Sequence, residues 1–190
     1  AVPDSKIAPH ASDDLPIGHI LKRPEVMALI AACALMSAAH GPYYAFFTIH
    51  LIDHGYSKSA AGWLWALGVM SEIGIFIWMP HLFRAFTPRQ VLLASFALAV
   101  ARFLLIGWIA DNLAMLLFAQ VLHVASFGSF HAAAIGVVHR LFPGRHQARG
   151  QAIYGSLAFG VGGAIGTFPS AYAWSGLGPA PTFSMAALCA

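Results

Sequence analysis

Apolar runs separated by short polar interruptions dominate the chain, and each run approaches the ~20 residues that an α-helix needs to cross the hydrocarbon core of a bilayer. The first runs from Val26 to Leu51 after Pro24, the second from Ala61 to Met79 before Pro80, and the third from Val91 to Ala110. The fourth covers Leu113 to Val138 and the fifth Ala152 to Trp174. A sixth begins near Pro181 with about ten residues, roughly 15 Å at 1.5 Å per residue, too short to span. The pattern predicts five full spans and a truncated sixth.

The interruptions are IDHGYSKSA, PHLFRAFTPRQ, Asp111-Asn112, RLFPGRHQARGQ and SGLGPA. Connections this short make sequential helices antiparallel neighbours and leave no room for a separate domain. The expected fold is all-α: a polytopic membrane helix bundle over residues 25–190. The preceding residues 1–24 are polar and hold four of the prolines, and are read as a cytoplasmic linker. The chain starts without Met and stops inside an apolar run, so a fragment of a longer protein is expected.

Composition sharpens this picture. The chain is 59% hydrophobic and 9% charged, against about 25% charged residues in a soluble domain. Its ten Lys and Arg residues are too sparse for a nucleic-acid surface, so no nucleic-acid partner is expected. Cys33 and Cys189 lie in apolar stretches and read as packing residues.

The basic residues also orient the chain. Lys6, Lys22, Arg23, Arg84, Arg89, Arg140, Arg145 and Arg149 fall on one side, with Lys58 alone on the other. By the positive-inside rule the N-terminus and the arginine-rich loops are cytoplasmic, in a multi-pass protein of the cell inner membrane. Within the fifth span, Gly162-x-x-x-Gly166 is a pair of small residues one turn apart that lets helix backbones approach closely. Tight packing and helices that slide during a conformational cycle both fit it.

Ionisable side chains in a membrane span are costly, and usually face a cavity or a partner. Glu72 lies about 11 residues into the second span, Arg102 about 12 into the third, and His123 about 11 into the fourth. Each is therefore about 16–18 Å deep, near the midplane of a core about 30 Å thick. A structural reading pairs Glu72 with Arg102 and leaves His123 hydrogen-bonded in the bundle. A functional reading makes Glu72 and His123 proton carriers beside a permanent cation.

Other polar residues belong to the same neighbourhood. His40 precedes Gly41-Pro42, which permits a kink or break. Tyr43 and Tyr44 fit a cavity wall or an aromatic belt at the outer interface. Gln120 and Tyr154 fit cavity or packing roles. His131, eight residues beyond His123, falls about 80° around a regular α-helix. His139 and His146 are expected in solvent, and His50, His54 and His81 in loops.

No HExxH, CxxC, P-loop or GxSxG pattern occurs, so no enzyme, metal site or cofactor is expected. Ten histidines keep a membrane redox or haem protein open as an alternative, with His40 and His123 its nearest candidate pair. A structural membrane subunit without a cavity is the other alternative.

The stretches PEVMALIAACALMSAAHGPYYAFFTIHLIDHGYS and LFPGRHQARGQAIYGSLAFGVGGAIG, with the six-helix layout, resemble the C-terminal half of a major facilitator superfamily transporter. The resemblance covers about residues 20–190. It is nearest to the subgroup of the bacterial phenylpropionate permease, close to the nucleoside and lactose proton symporters. The general Gly-x-x-x-Asp-Arg loop pattern of the superfamily is absent from WMPHLFRAFTPRQ.

The resemblance implies half of a twelve-helix fold, with an N-terminal six-helix half as partner and a central cavity between the two. It implies Glu72, Arg102 and His123 as members of the proton and substrate pathway, joined here by His40, Tyr43, Tyr44, Gln120 and His131. The lactose permease carries a further carboxylate one turn after its histidine, where this chain has Ser126. The expected function is proton-coupled transport of a small organic substrate by alternating access. The resemblance favours an aromatic acid such as 3-phenylpropionate.

Overall fold

A computed structural model describes residues 16–190. Most of the segment read as a linker, residues 1–15, lies outside the described residues. Its remainder carries a single short helix, α1 (Ile17–Leu21). The long helices follow as α2 (Pro24–Asp53), α3 (Lys58–Ala85) and α4 (Pro88–Trp108).

The fourth span is composite. It runs from α5 (Leu113–Val121) through a π-helical segment (Val124–Ser129) into α6 (Phe130–Leu141). The fifth likewise combines α7 (Gln147–Tyr154), a second π segment (Gly155–Gly162) and α8 (Gly163–Leu177). Helix α9 (Pro179–Cys189) completes the bundle. Five of these helical stretches are long and apolar enough to cross a membrane, and the chain is a multi-pass membrane protein.

Local chemistry explains where the helices begin. The backbone N–H of Ala60 donates to Ser57 Oγ at the start of α3, and that of Met115 donates to Asn112 Oδ1 at the start of α5. Thr87 and Gln90 form a reciprocal capping box ahead of α4, with Pro88 in its first turn. Such caps satisfy backbone donors that have no partner inside the helix.

The prolines disrupt less than the sequence suggests. Helix α2 runs unbroken through Pro42, and α3 continues past Pro80 to Ala85. The second span is thus longer, and the loop after it shorter, than the apolar run implies.

Helix α2 is the hub. It packs against α8, the second π segment and α9, while α4 lies along α9 and the first π segment. A Cβ on Gly162 would come within 2.5 Å of Ala34 O, and one on Gly166 within 2.1 Å of Ala38 O. The small-residue pair in the fifth span therefore sets the contact of α2 with the second π segment and α8.

Outward-facing side chains are large and apolar, with Trp63, Ile77, Phe168 and Tyr172 all more than 70% exposed. On α3 and α8 they form faces that require cover by lipid or protein.

Candidate functional site

Glycines let α3 approach the fourth span. A Cβ on Gly68 would meet Gln120 Oε1 and His123 Cδ2 at 3.3 Å, and one on Gly128 would meet Ile75 Cγ2 at 3.1 Å and Glu72 Cγ at 3.5 Å. This close approach brings Glu72 Oε1 to 2.7 Å from His123 Nε2. Both side chains are largely buried, at 15% and 6% exposure. The distance is that of a charge-assisted hydrogen bond, in which one proton is shared between carboxylate and imidazole.

Arg102, from α4, is fully buried beside this pair. Its Nε donates to the carbonyl of Ala119 at 3.1 Å, and its guanidinium carbon lies 4.1 Å from the centre of the Tyr43 ring. His40 Nδ1 lies 2.9 Å from Met36 O, which makes it the protonated nitrogen. His40 Nε2 is then the acceptor for Arg102 Nη1 at 3.4 Å. Tyr43 donates its hydroxyl proton to Gln120 Oε1 at 2.9 Å.

The ion pair between Glu72 and Arg102 offered by the structural reading is not formed. Among the described residues the carboxylate–base pairs within 4.0 Å are His123–Glu72 and the more exposed His54–Asp111. The reason is geometric: α3 packs on the fourth span at Gly68 and Gly128, and Arg102 is turned toward α2. Arg102 Nη2, Gln120 Nε2 and His123 Nδ1 are buried without a hydrogen-bond partner. The cluster thus retains unused donor capacity, which is costly in an apolar interior unless something occupies it.

The π segment alters the expected azimuth of His131. A π turn holds more residues than an α turn, so each residue rotates the chain by less than 100°. The 80° offset expected for His131 is lost, and His123, Phe127 and His131 form one stacked column. Interplanar angles are 13° for His123–Phe127 and 8° for Phe127–His131. His131 Nδ1 ends the column 3.2 Å from the Tyr154 hydroxyl, separated from the central cluster by Phe127.

Tyr44 is half exposed and stacks on Trp65. It also lines, with His40 and Phe127, a cavity of about 180 Å³. Among the lining residues that were not anticipated, Ser37 and Phe159 carry no charge to mark them. Their one signal is the Ser37-x-x-His40 spacing, which sets both on one helix face.

Other histidines depart from expectation. His50 is buried within α2, with Nε2 2.8 Å from Ile106 O, because it lies inside the first span and faces α4. His146 is buried under the loop after α6. His81 belongs to α3 and not to a loop. His139 is partly covered and bonds Gln151. The haem candidates His40 and His123 have ring centres 6.0 Å apart, but their Nε2 atoms are engaged by Arg102 and Glu72.

The model of the MFS_1 like family matches residues 5–185. The probable 3-phenylpropionic acid transporter of Escherichia coli (strain K12) is 36% identical over 149 residues, covering 78% of this chain. The chain corresponds to 39% of that relative's length. No solved structure matches it. A family model that fits nearly the whole sequence, joined by this identity across most of its spans, establishes that the chain belongs to the MFS_1 like family.

Proposed function

We propose that the chain is the C-terminal half of a proton-coupled transporter for a small organic acid, working with an N-terminal six-helix half in the inner membrane. The observation that carries the proposal is the 2.7 Å contact between Glu72 and His123 beside the buried Arg102. Ionisable groups this deep in a membrane protein mark ion and substrate pathways. Family membership supports transport, and the name of the E. coli relative favours an aromatic acid as substrate.

The chemistry follows from the charges. Glu72 and His123 hold one exchangeable proton between them. Arg102 keeps a fixed positive charge nearby, with Nη2 free of a protein partner. A substrate carboxylate reaching Arg102 adds negative charge to the cluster, and so favours a proton on the Glu72–His123 pair. By linkage, the bound proton favours the substrate equally. Arg102 has no solvent exposure in this conformation, so the carboxylate gains access only when the halves rock apart. Alternating access about a midplane site provides that motion.

The arginine-rich loops and the N-terminal segment face the cytoplasm in this reading, as the positive-inside rule requires. No cofactor is needed. The test is uptake of labelled 3-phenylpropionate into vesicles carrying the full-length product, with and without an inward proton gradient. Gradient-dependent uptake in the wild type that collapses in Glu72→Gln supports the proposal. Full gradient-driven uptake in Glu72→Gln would sink the role of the pair.

A further inference from the structure

Between α2, the first π segment and the fifth span lies a partly enclosed cavity of about 180 Å³. Its wall is mainly aromatic: Tyr44, Phe127, Phe130 and Phe159, with the ring of His40. Phe127 meets Phe159 edge to face at 6.3 Å and His40 at 5.8 Å, so the rings already present mutually perpendicular faces and edges. One polar atom stands out. Ser37 is among the lining residues, and its buried Oγ has no hydrogen-bond partner.

An apolar cavity of about 150 Å³ is enough to hold a benzene ring. The present cavity, at about 180 Å³, matches one six-membered ring with a short substituent. Aromatic rings favour edge-to-face and offset contacts with other rings, worth about 0.5–1.5 kcal/mol each beyond area burial. An unpartnered hydroxyl at the edge of such a cavity offers a partner for one polar substituent after a small side-chain rotation. The cavity also touches His40, which accepts the hydrogen bond of Arg102. A ring seated there lies one side chain away from the cationic centre.

We propose that this cavity, bounded by Ser37, His40, Phe127, Phe159 and Gly163, is the ring-binding subsite for a single-ring aromatic acid. The assignment rests on the aromatic-acid reading above for the natural substrate, while the ring preference rests on the cavity alone. The ring packs against Phe127 and Phe159, and the carboxylate extends past His40 toward Arg102.

Gly163 offers a clean probe. It lines the cavity, and a Cβ there would meet no heavy atom within 4 Å. Gly163→Val therefore adds volume without a clash at its first atom. Phe159→Ala does the opposite and enlarges the space.

The experiment uses the full-length transporter in detergent and 4-fluorobenzyl alcohol, a neutral single-ring probe, followed by ¹⁹F NMR. Uptake of labelled 3-phenylpropionate into vesicles runs in parallel. The expected result is saturable probe binding that weakens at least tenfold in Gly163→Val, with a similar rise in the uptake KM. Phe159→Ala is expected to gain competition by 2-naphthylpropionate that the wild type resists, a gain that a misfolded protein cannot show. Absence of saturable probe binding in the wild type would overturn the subsite, as would unchanged binding in Gly163→Val. Probe binding of the expected pattern without aromatic-acid uptake would keep the subsite and remove the substrate reading. Uptake indifferent to both variants would keep the substrate reading and remove the subsite.

Discussion

Glu72 on α3 reaches His123, just ahead of the first π segment, across 2.7 Å, while Arg102 makes its contacts with His40 and Tyr43. A carboxylate in a bundle with a buried guanidinium is expected to pair with it. Here it pairs with an imidazole, whose two ring nitrogens can donate or accept a proton. The arrangement separates a titratable pair from a fixed cation, and the following outcomes depend on that separation.

Replacing His123 with Asn leaves a polar partner for Glu72 but removes the titratable ring. Accumulation driven by a proton gradient is expected to fall by more than tenfold, while exchange of labelled for unlabelled substrate across vesicles persists. Loss of both activities together would point to a substrate-binding role for His123 and not a proton-handling one.

Arg102→Lys is expected to behave as a severe change despite the retained charge. Lysine lacks the planar fork that donates to Ala119 O while lying over the Tyr43 ring. The lost stacking is worth about 2 kcal/mol for a desolvated cation, and the charged hydrogen bond about 1.5–3 kcal/mol. Thermal unfolding of the purified protein should shift downward, and the substrate KM should rise at least tenfold. A variant with wild-type unfolding and KM would show that the planar geometry is dispensable.

Within the glycine-rich fifth span, position decides tolerance. Gly166→Leu drives a side chain into the backbone of Ala38, so destabilisation by about 1–3 kcal/mol or more is expected from overpacking. Gly160→Ala meets nothing within 4 Å and is expected to be neutral, or stabilising by about 0.5–1 kcal/mol through helix propensity. Thermal unfolding of the two variants side by side checks the contrast. Equal tolerance would refute the close α2–α8 contact.

The orientation can be read with single cysteines. Lys58 and Arg145 are both exposed, at opposite ends of the bundle. A membrane-impermeant maleimide should label Lys58→Cys in intact cells and Arg145→Cys only after permeabilisation. The reverse pattern would invert the topology.

Much of this molecule can be read along one dimension. Span number follows from the length of apolar runs, because hydrocarbon demands about 20 residues with every backbone group satisfied inside the helix. The capping residues Ser57, Thr87 and Asn112 mark helix starts through local hydrogen bonds. The common depth of Glu72 and His123 is equally linear, since a helix rises 1.5 Å per residue, and the 2.7 Å contact bears it out. The packing role of Gly162 and Gly166 was visible because only a small side chain allows backbones so close.

Azimuth and partnership lay beyond that reach. Counting residues at 100° each puts His131 well around the helix from His123. The π turn between them absorbs the difference and stacks both on Phe127. Depth placed Glu72 level with two possible partners, and the choice fell to Gly68 and Gly128, whose missing side chains seat α3 on the fourth span. The burial of His50 and His146 was hidden for a related reason: polar residues at the end of an apolar run or beyond it look like loop until a neighbouring element covers them. The sequence alone determined how many helices cross and how deep each charge lies, because both are sums along a single helix. Which charges touch was decided only by tertiary packing, because contact depends on accumulated rotation and on the closeness of neighbouring helices.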